Sequence, residues 1–289
     1  QFQIFLLRRQ IMLLIGERIN VITKVQREAM KNRDPKPIQE MAKAQVAAGA
    51  NVLDVNIGPA EDDGPELMDW IVKTVQKAAQ VPICLDTTNL NAIKAGLKAH
   101  NNTWGRPMIN STSGETQRLN TFMPVAAEFQ CDIIGLCLSG SGLPADANDR
   151  CAIAVDIMAK ADEVGLPLDH IYLDPLVLML NGNQEHALHC IQSVEMFQTL
   201  NDPPMKSVVG LSNIANTAPA SMKGILTAVF FQMLRDAGLT AAIIDPLEKE
   251  FMQVVKSGNP RAVYPAHQVD KTEKVMRGEI LYAHSFLEV

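Results

Sequence analysis

Val81-Pro82-Ile83-Cys84-Leu85-Asp86-Thr87-Thr88-Asn89 begins as a short apolar run and stops abruptly in a carboxylate, two hydroxyls and an amide. An apolar run this short and without polar alternation reads as a strand covered on both faces. The same ending recurs in Val52-Leu53-Asp54-Val55-Asn56, Pro107-Met108-Ile109-Asn110-Ser111, Tyr172-Leu173-Asp174-Pro175, Val208-Val209-Gly210-Leu211-Ser212-Asn213 and Ala242-Ile243-Ile244-Asp245-Pro246. Six apolar runs therefore end in Asp or Asn, and one rim of the molecule should collect those polar groups.

Helical patterns fill the intervals. Asp34-Pro35-Lys36-Pro37 sets up a helix start, and Ile38, Met41, Ala42, Gln45 and Val46 repeat at helical spacing until Gly49. Further helices are expected from Pro65, from Leu90, over Arg118 to Phe129, from a cap at Asp149 to Val164, over Gln184 to Leu200, and over Ser221 to Ala237. Two more apolar runs, Met12 to Ile15 and Asp132 to Cys137, complete a set of eight strands. The first leads into Gly16-Glu17-Arg18-Ile19-Asn20, read as a polar loop, and the second into the flexible Ser139-Gly140-Ser141-Gly142. Eight strand-helix units in about 250 residues specify a closed (β/α)8 TIM barrel, whose functional groups lie at the carboxyl ends of the strands. After Glu248 the pattern weakens, with a turn at Ser257-Gly258-Asn259-Pro260 and a final helix expected over Val269 to Leu281.

The barrel domain is assigned to residues 12–289. Residues 1–11 carry Phe2, Ile4, Phe5, Leu6 and Leu7 ahead of Arg8 and Arg9, the reverse of a signal peptide's charge order, and are too short to span a bilayer. They read as a non-native or upstream extension, with Met12 as the start. With 289 residues, 47% hydrophobic and 20% charged, the chain has ample core for one barrel. Its net charge of −6 lacks the basic clusters that a nucleic-acid partner needs. Cys84, Cys131, Cys137, Cys151 and Cys190 are scattered and odd in number, which fits reduced thiols in a cytoplasmic protein.

The expected mouth presents Glu17, Asp54, Asn56, Asp86, Asn110, Asp174, Asn213 and Asp245. Carboxylates accept hydrogen bonds, and amides both accept and donate. The 2-amino-4-oxo edge of a pterin, with N–H donors beside carbonyl and ring-nitrogen acceptors, matches that set. A divalent ion held by several carboxylates is the competing reading. No His lies beside these strands at the rim, so no zinc site is expected. Each Asp or Asn taken singly could be a turn former or helix cap. His186 and His189, three apart on a helix, read as a solvated face, and Cys84 and Cys137 as packing residues.

At Gly16-Glu17-Arg18-Ile19-Asn20, Asp54-Val55-Asn56-Ile57-Gly58-Pro59, Leu85-Asp86-Thr87-Thr88, Ile109-Asn110-Ser111-Thr112, Leu173-Asp174-Pro175 and Gly210-Leu211-Ser212-Asn213 the sequence resembles the pterin-binding methyltransferases. These act on methyltetrahydrofolate and a corrinoid protein; they include the acetogenic corrinoid/iron-sulfur protein methyltransferase and the folate domain of cobalamin-dependent methionine synthase. The likeness runs from about Leu13 to Asp245 and again over Glu279 to Leu287. It implies a homodimeric barrel that takes tetrahydrofolate or methyltetrahydrofolate as substrate, with the cobalamin carried by a partner corrinoid protein. It also implies a pterin site built from Asp86, Asn110 and Asp174, with Glu17, Asn20, Asp54 and Ser212 around it and Asn213 near pterin N5 as the catalytic residue.

The chain departs from the acetogenic pattern after Asn213: Ala220 to Phe231 lacks the polar and basic residues expected there, and Gly258 to Asp270 reads as an insertion. That leaves the partner open and fits methyltransferases of O-demethylation or betaine demethylation equally. A dihydropteroate synthase-like enzyme is the rival on the same fold. It must bind a pyrophosphate leaving group, yet no Lys or Arg occurs from Val208 to Met222. A non-catalytic pterin-binding or corrinoid-docking subunit is the other alternative.

Overall fold

In a computed structural model, which describes residues 12–287, eight parallel strands close into a barrel in chain order, with helices outside. The expectation for residues 1–11 lies outside the described residues. The order is β1 (Leu13–Asn20), α1 (Lys24–Asn32), α2 (Pro35–Ala48), β2 (Val52–Asn56), α3 (Gly64–Ala78), β3 (Ile83–Asp86), α4 (Leu90–Ala99), β4 (Met108–Ser113) and α5 (Thr116–Phe129). It continues with β5 (Asp132–Leu136), α6 (Ala147–Glu163), β6 (Ile171–Asp174), α7 (Gln184–Phe197), β7 (Lys206–Gly210), α8 (Ala220–Asp236), β8 (Ala241–Ile244), α9 (Lys249–Ser257) and α10 (Ala266–Met276).

Side chains alternate between the faces of a strand, so each strand has one set pointing into the barrel and one pointing at the helices. The inward set begins with a closed cluster of Ile15, Val52, Cys84, Met108, Ile134, Tyr172, Val208 and Ala241, one residue from each strand. Pairings such as Ile15 with Val52, Cys84 with Met108 and Ile134 with Tyr172 show that these neighbours lie level across the ladder. The outward set, including Leu53, Val55, Ile83, Leu85, Ile109, Ile133 and Leu173, packs under the helices in the largest core cluster.

Local chemistry sets the helix ends. Asp34 accepts from the Lys36 amide ahead of Pro35, and Asn89 accepts from the amides of Asn91 and Ala92. Three expectations are corrected. The stretch from Gly16 to Asn20 is strand, because an irregularity between Gly16 and Ile19 lets it stay paired with β2 while the buried Gln45 accepts from the Arg18 amide. Asp146, and not Asp149, caps α6, accepting from the amides of Asn148 and Asp149. The final helix ends at Met276, short of Leu281; the segment beyond is held by Gln184 of α7, whose amide donates to the carbonyls of Val275 and Ile280 and accepts from the Tyr282 amide.

Candidate functional site

One step above the apolar layer the same inward set turns polar. Two residues beyond Val52, Cys84, Met108 and Tyr172 stand Asp54, Asp86, Asn110 and Asp174, with Asn56 a further step along β2. Period-2 alternation therefore obliges all of them to face the mouth. The registers place Asn56 beside Asp86, and Asp86 beside Asn110.

The side chains are cross-linked. Nδ2 of Asn110 donates to Asp54 at 3.1 Å, and Nδ2 of Asn56 donates to Asp86 at 2.5 Å. The Asn56 oxygen accepts from the Gly58 amide at 2.9 Å, which fixes which end of that carboxamide meets Asp86. Three strands away, Asp174 accepts from the Leu176 amide at 2.8 Å. Among the described residues, Oδ1 of Asp86 and Oδ2 of Asp174 carry no hydrogen-bond partner, which leaves one acceptor on β3 and one on β6 for a ligand.

Burial raises the acids. Asp174 is pushed up to about 7 by desolvation, against the Leu176 amide and the Arg150 charge. Asp86 is pushed up to about 6 by desolvation, against the Asn56 amide. Asp54, wholly enclosed and beside Asp86, goes well above the usual carboxylate range because of desolvation first and the Asp86 charge second. Glu17 is also raised by burial, and it accepts from the Ser212 hydroxyl at 2.5 Å.

The remaining expected residues are placed differently. Asn20 turns its carboxamide on its own surroundings, donating to the Glu17 carbonyl and accepting from the amides of Ile22 and Thr23. Asn213 lies past the end of β7, exposed on a single 3-10 turn, Leu211–Ala215. Asp245 is in an ion pair with Arg18 at 3.1 Å. On the β1, β7 and β8 side of the mouth a cavity of about 650 Å³ opens between Glu17, Arg18, Ser212, Asn216, Asp245 and Tyr264.

Two residues gain roles that their sequence positions did not declare. Asn56 was one of the rim residues, but its bond to Asp86 depends on the β2–β3 register; its spacing of two from Asp54 is the signal that would have found it. Arg150 is fully buried on α6 and donates to the carbonyls of Pro175 and Asp146, so it props the loop that follows Asp174. His186 is corrected from a solvated position: its ring packs on Arg150, 2.9 Å from Nη2, and desolvation together with that charge holds its pKa down.

Solved structures share the fold. Dihydropteroate synthase of Thermus thermophilus superposes with a TM-score of 0.61 at 18% identity, covering 85% of this chain and 94% of that one. The Coxiella burnetii dihydropteroate synthase, solved with pteroic acid, gives 0.65 at 13% identity, covering 85% and 92%. Among characterised sequences, the methylcorrinoid:tetrahydrofolate methyltransferase of Eubacterium limosum is 25% identical over 247 residues, 84% of this chain and 89% of that protein. Methionine synthase of Mycobacterium tuberculosis is 28% identical over 242 residues, which are 80% of this chain and only 20% of the longer enzyme. The model of the pterin binding enzyme family matches residues 16–245, the whole run from the β1 carboxylate to the last strand-end aspartate, and the chain belongs to that family.

Proposed function

We propose that the chain is a methyltransferase that moves a methyl group between N5 of tetrahydrofolate and the cobalt of a corrinoid protein. The observation that carries this reading is the mouth itself: two desolvated carboxylates on opposite walls, Asp86 and Asp174, with the Asn110 amide between them. Asp86 and Asp174 take the N–H donors of the pterin, Asn110 a ring nitrogen or carbonyl, and Asp54 holds Asn110 in place. Glu17 and Ser212 support the β1 and β7 side, with Asn20 shaping the loop behind Glu17. The likeness to the methylcorrinoid:tetrahydrofolate methyltransferase supports the same substrate pair.

In the direction away from folate, the cobalt(I) lone pair attacks the methyl carbon, the C–N bond breaks with its electrons left on N5, and N5 gains a proton from water. In the opposite direction N5 attacks the methyl group, its proton goes to water, and the electron pair of the broken bond returns to cobalt. A nitrogen leaving group is poor unless its developing charge is met, so a hydrogen bond to N5 lowers the barrier more than it tightens the ground state. Asn213, at the mouth beyond β7, supplies it. The corrinoid partner docks on a rim that exposes Ile22, Leu143, Met179 and Leu247 on its loops and Val25 on the first turn of α1, and a homodimeric assembly comes with the family likeness.

A dihydropteroate synthase-like reaction fits less well, because among the described residues the cations lining the cavity are Arg18, which is engaged with Asp245, and Lys223 of α8, and the stretch from Val208 to Met222 adds none for a pyrophosphate. The test is spectral: purified protein, methyltetrahydrofolate and reduced free cobalamin should convert the cob(I)alamin spectrum to that of methylcobalamin. Folate binding without that change would make the chain a binding subunit, since ground-state binding alone accelerates nothing.

A further inference from the structure

The turn after β7 carries two asparagines three residues apart, Asn213 and Asn216, both exposed at the mouth. Nδ2 of Asn216 donates to Oδ1 of Asn213 at 3.3 Å. A carboxamide has a donor at one end and an acceptor at the other, and its neighbours decide which end meets a ligand. With its oxygen occupied by Asn216, Asn213 keeps its NH2 group to offer. That group leans back over the strand end, since a Cβ on Gly210 would lie 3.2 Å from Nδ2 of Asn213.

The backbone around the pair is tied down independently. The Asn216 amide donates to the Asn213 carbonyl at 3.1 Å, the Ala218 amide to the Ala215 carbonyl at 3.2 Å, and the Leu180 amide of the preceding loop to the Ile214 carbonyl at 3.0 Å. What is left to set is the rotation of the Asn213 carboxamide, and among the described residues Asn216 is the side chain hydrogen-bonded to it.

We propose that Asn216 is a positioning residue for methyl transfer: it orients Asn213 so that the amide NH2, and not the carbonyl oxygen, faces N5 of the folate. The inference rests on the reading of Asn213 given above. While the methyl group departs, the electron pair of the C–N bond stays on N5. A donor aimed there is stabilising, whereas an amide oxygen would oppose one lone pair with another.

Three substitutions test it, each read by single-turnover stopped-flow with cob(I)alamin and by calorimetric folate titration. N216A frees the carboxamide and should slow transfer about three- to tenfold. N216D is nearly the same size but can only accept, so it captures the Asn213 NH2 and should slow transfer further, toward the ~10²–10³-fold loss expected when a donor to developing charge is removed. N216Q, still able to donate, should remain within about threefold of wild type. Folate affinity should stay within about threefold in all three, a split between rate and binding that a general structural defect would not give. In an N213A background, N216D should have no further effect on rate beyond about twofold.

Transfer by N216D at or above the rate of N216A would overturn the proposal, and is the outcome expected if N5 is protonated first and the amide oxygen is the working end. An undiminished N216D effect in the N213A background would overturn it as well. Wild-type protein that binds folate but transfers no methyl group would overturn the methyltransferase reading, and this inference with it.

Discussion

Asp174, pushed up to about 7 by desolvation, is largely protonated in the ligand-free protein below neutrality, and Asp86, pushed up to about 6, joins it in the more acidic range. A pterin that donates N–H bonds to them requires the charged forms, so binding at pH 6 must expel protons. Folate affinity should therefore rise between about pH 5 and 7.5, by up to about tenfold per pH unit while one group is the main one titrating, and then level off. Calorimetry in buffers of different ionisation enthalpy would count the released protons, and D174N should flatten the dependence; a flat wild-type profile would sink the assignment. Stability of the free protein runs the opposite way. Both folded-state values exceed those of the unfolded chain, so stability present in acid is lost as pH rises, and the thermal midpoint should fall between about pH 4 and 7. D86A removes an acceptor and strands the Asn56 amide, and should cost about 2–4 kcal/mol of folate affinity in a calorimetric titration. Asp86, Asn110 and Asp174 were legible from sequence because each ends an apolar run. The Asn56–Asp86 bond and the Arg18–Asp245 pair were not, since the first requires the strand register and the second joins the first strand to the end of the last, 227 residues away in the chain.

β7 and the turn after it place Asn213, and N213A should lower the single-turnover transfer rate by on the order of 10²–10³ while folate affinity changes only a fewfold. Equal losses in both would make Asn213 a binding residue. α4 shows how closely the outer layer is fitted: a Cβ on Gly96 would lie 2.7 Å from Met68 of α3 and 3.0 Å from Leu85 of β3. G96A should accordingly destabilise by about 1–3 kcal/mol in urea unfolding, through overpacking that reaches the strand carrying Asp86. The strands were readable as elements because burial on both faces leaves uninterrupted apolar runs. α1 and α9 were missed for a related reason. Each is nine residues long and buries only three, Gln26, Ala29 and Met30 in one case and Phe251, Met252 and Val254 in the other, so the apolar signal barely repeats. β1 hid its second half because Glu17 and Arg18 interrupt the run where the mouth needs polar groups.

Across the whole molecule the strand-end acids gather at one face, and one oxygen each of Asp54 and Asp86 is committed to an amide. Methyl transfer should survive exhaustive EDTA treatment; loss of transfer that Mg²⁺ restores would bring a carboxylate-bound ion into the mechanism. Among the described residues no helix is long and apolar enough to cross a membrane. The barrel closes by pairing its first strand with its last, Leu13 beside Ala241. During translation this has a consequence of its own. At roughly 5–20 residues per second the ribosome needs on the order of ten seconds or more between making those partners. Throughout that interval the growing sheet has two unpaired edges, each able to template contact with another nascent chain. The protein thus stays adhesive until Ala241–Ile244 clears the exit tunnel, and its yield in a cell should follow the supply of holding chaperones more closely than the stability of the finished barrel.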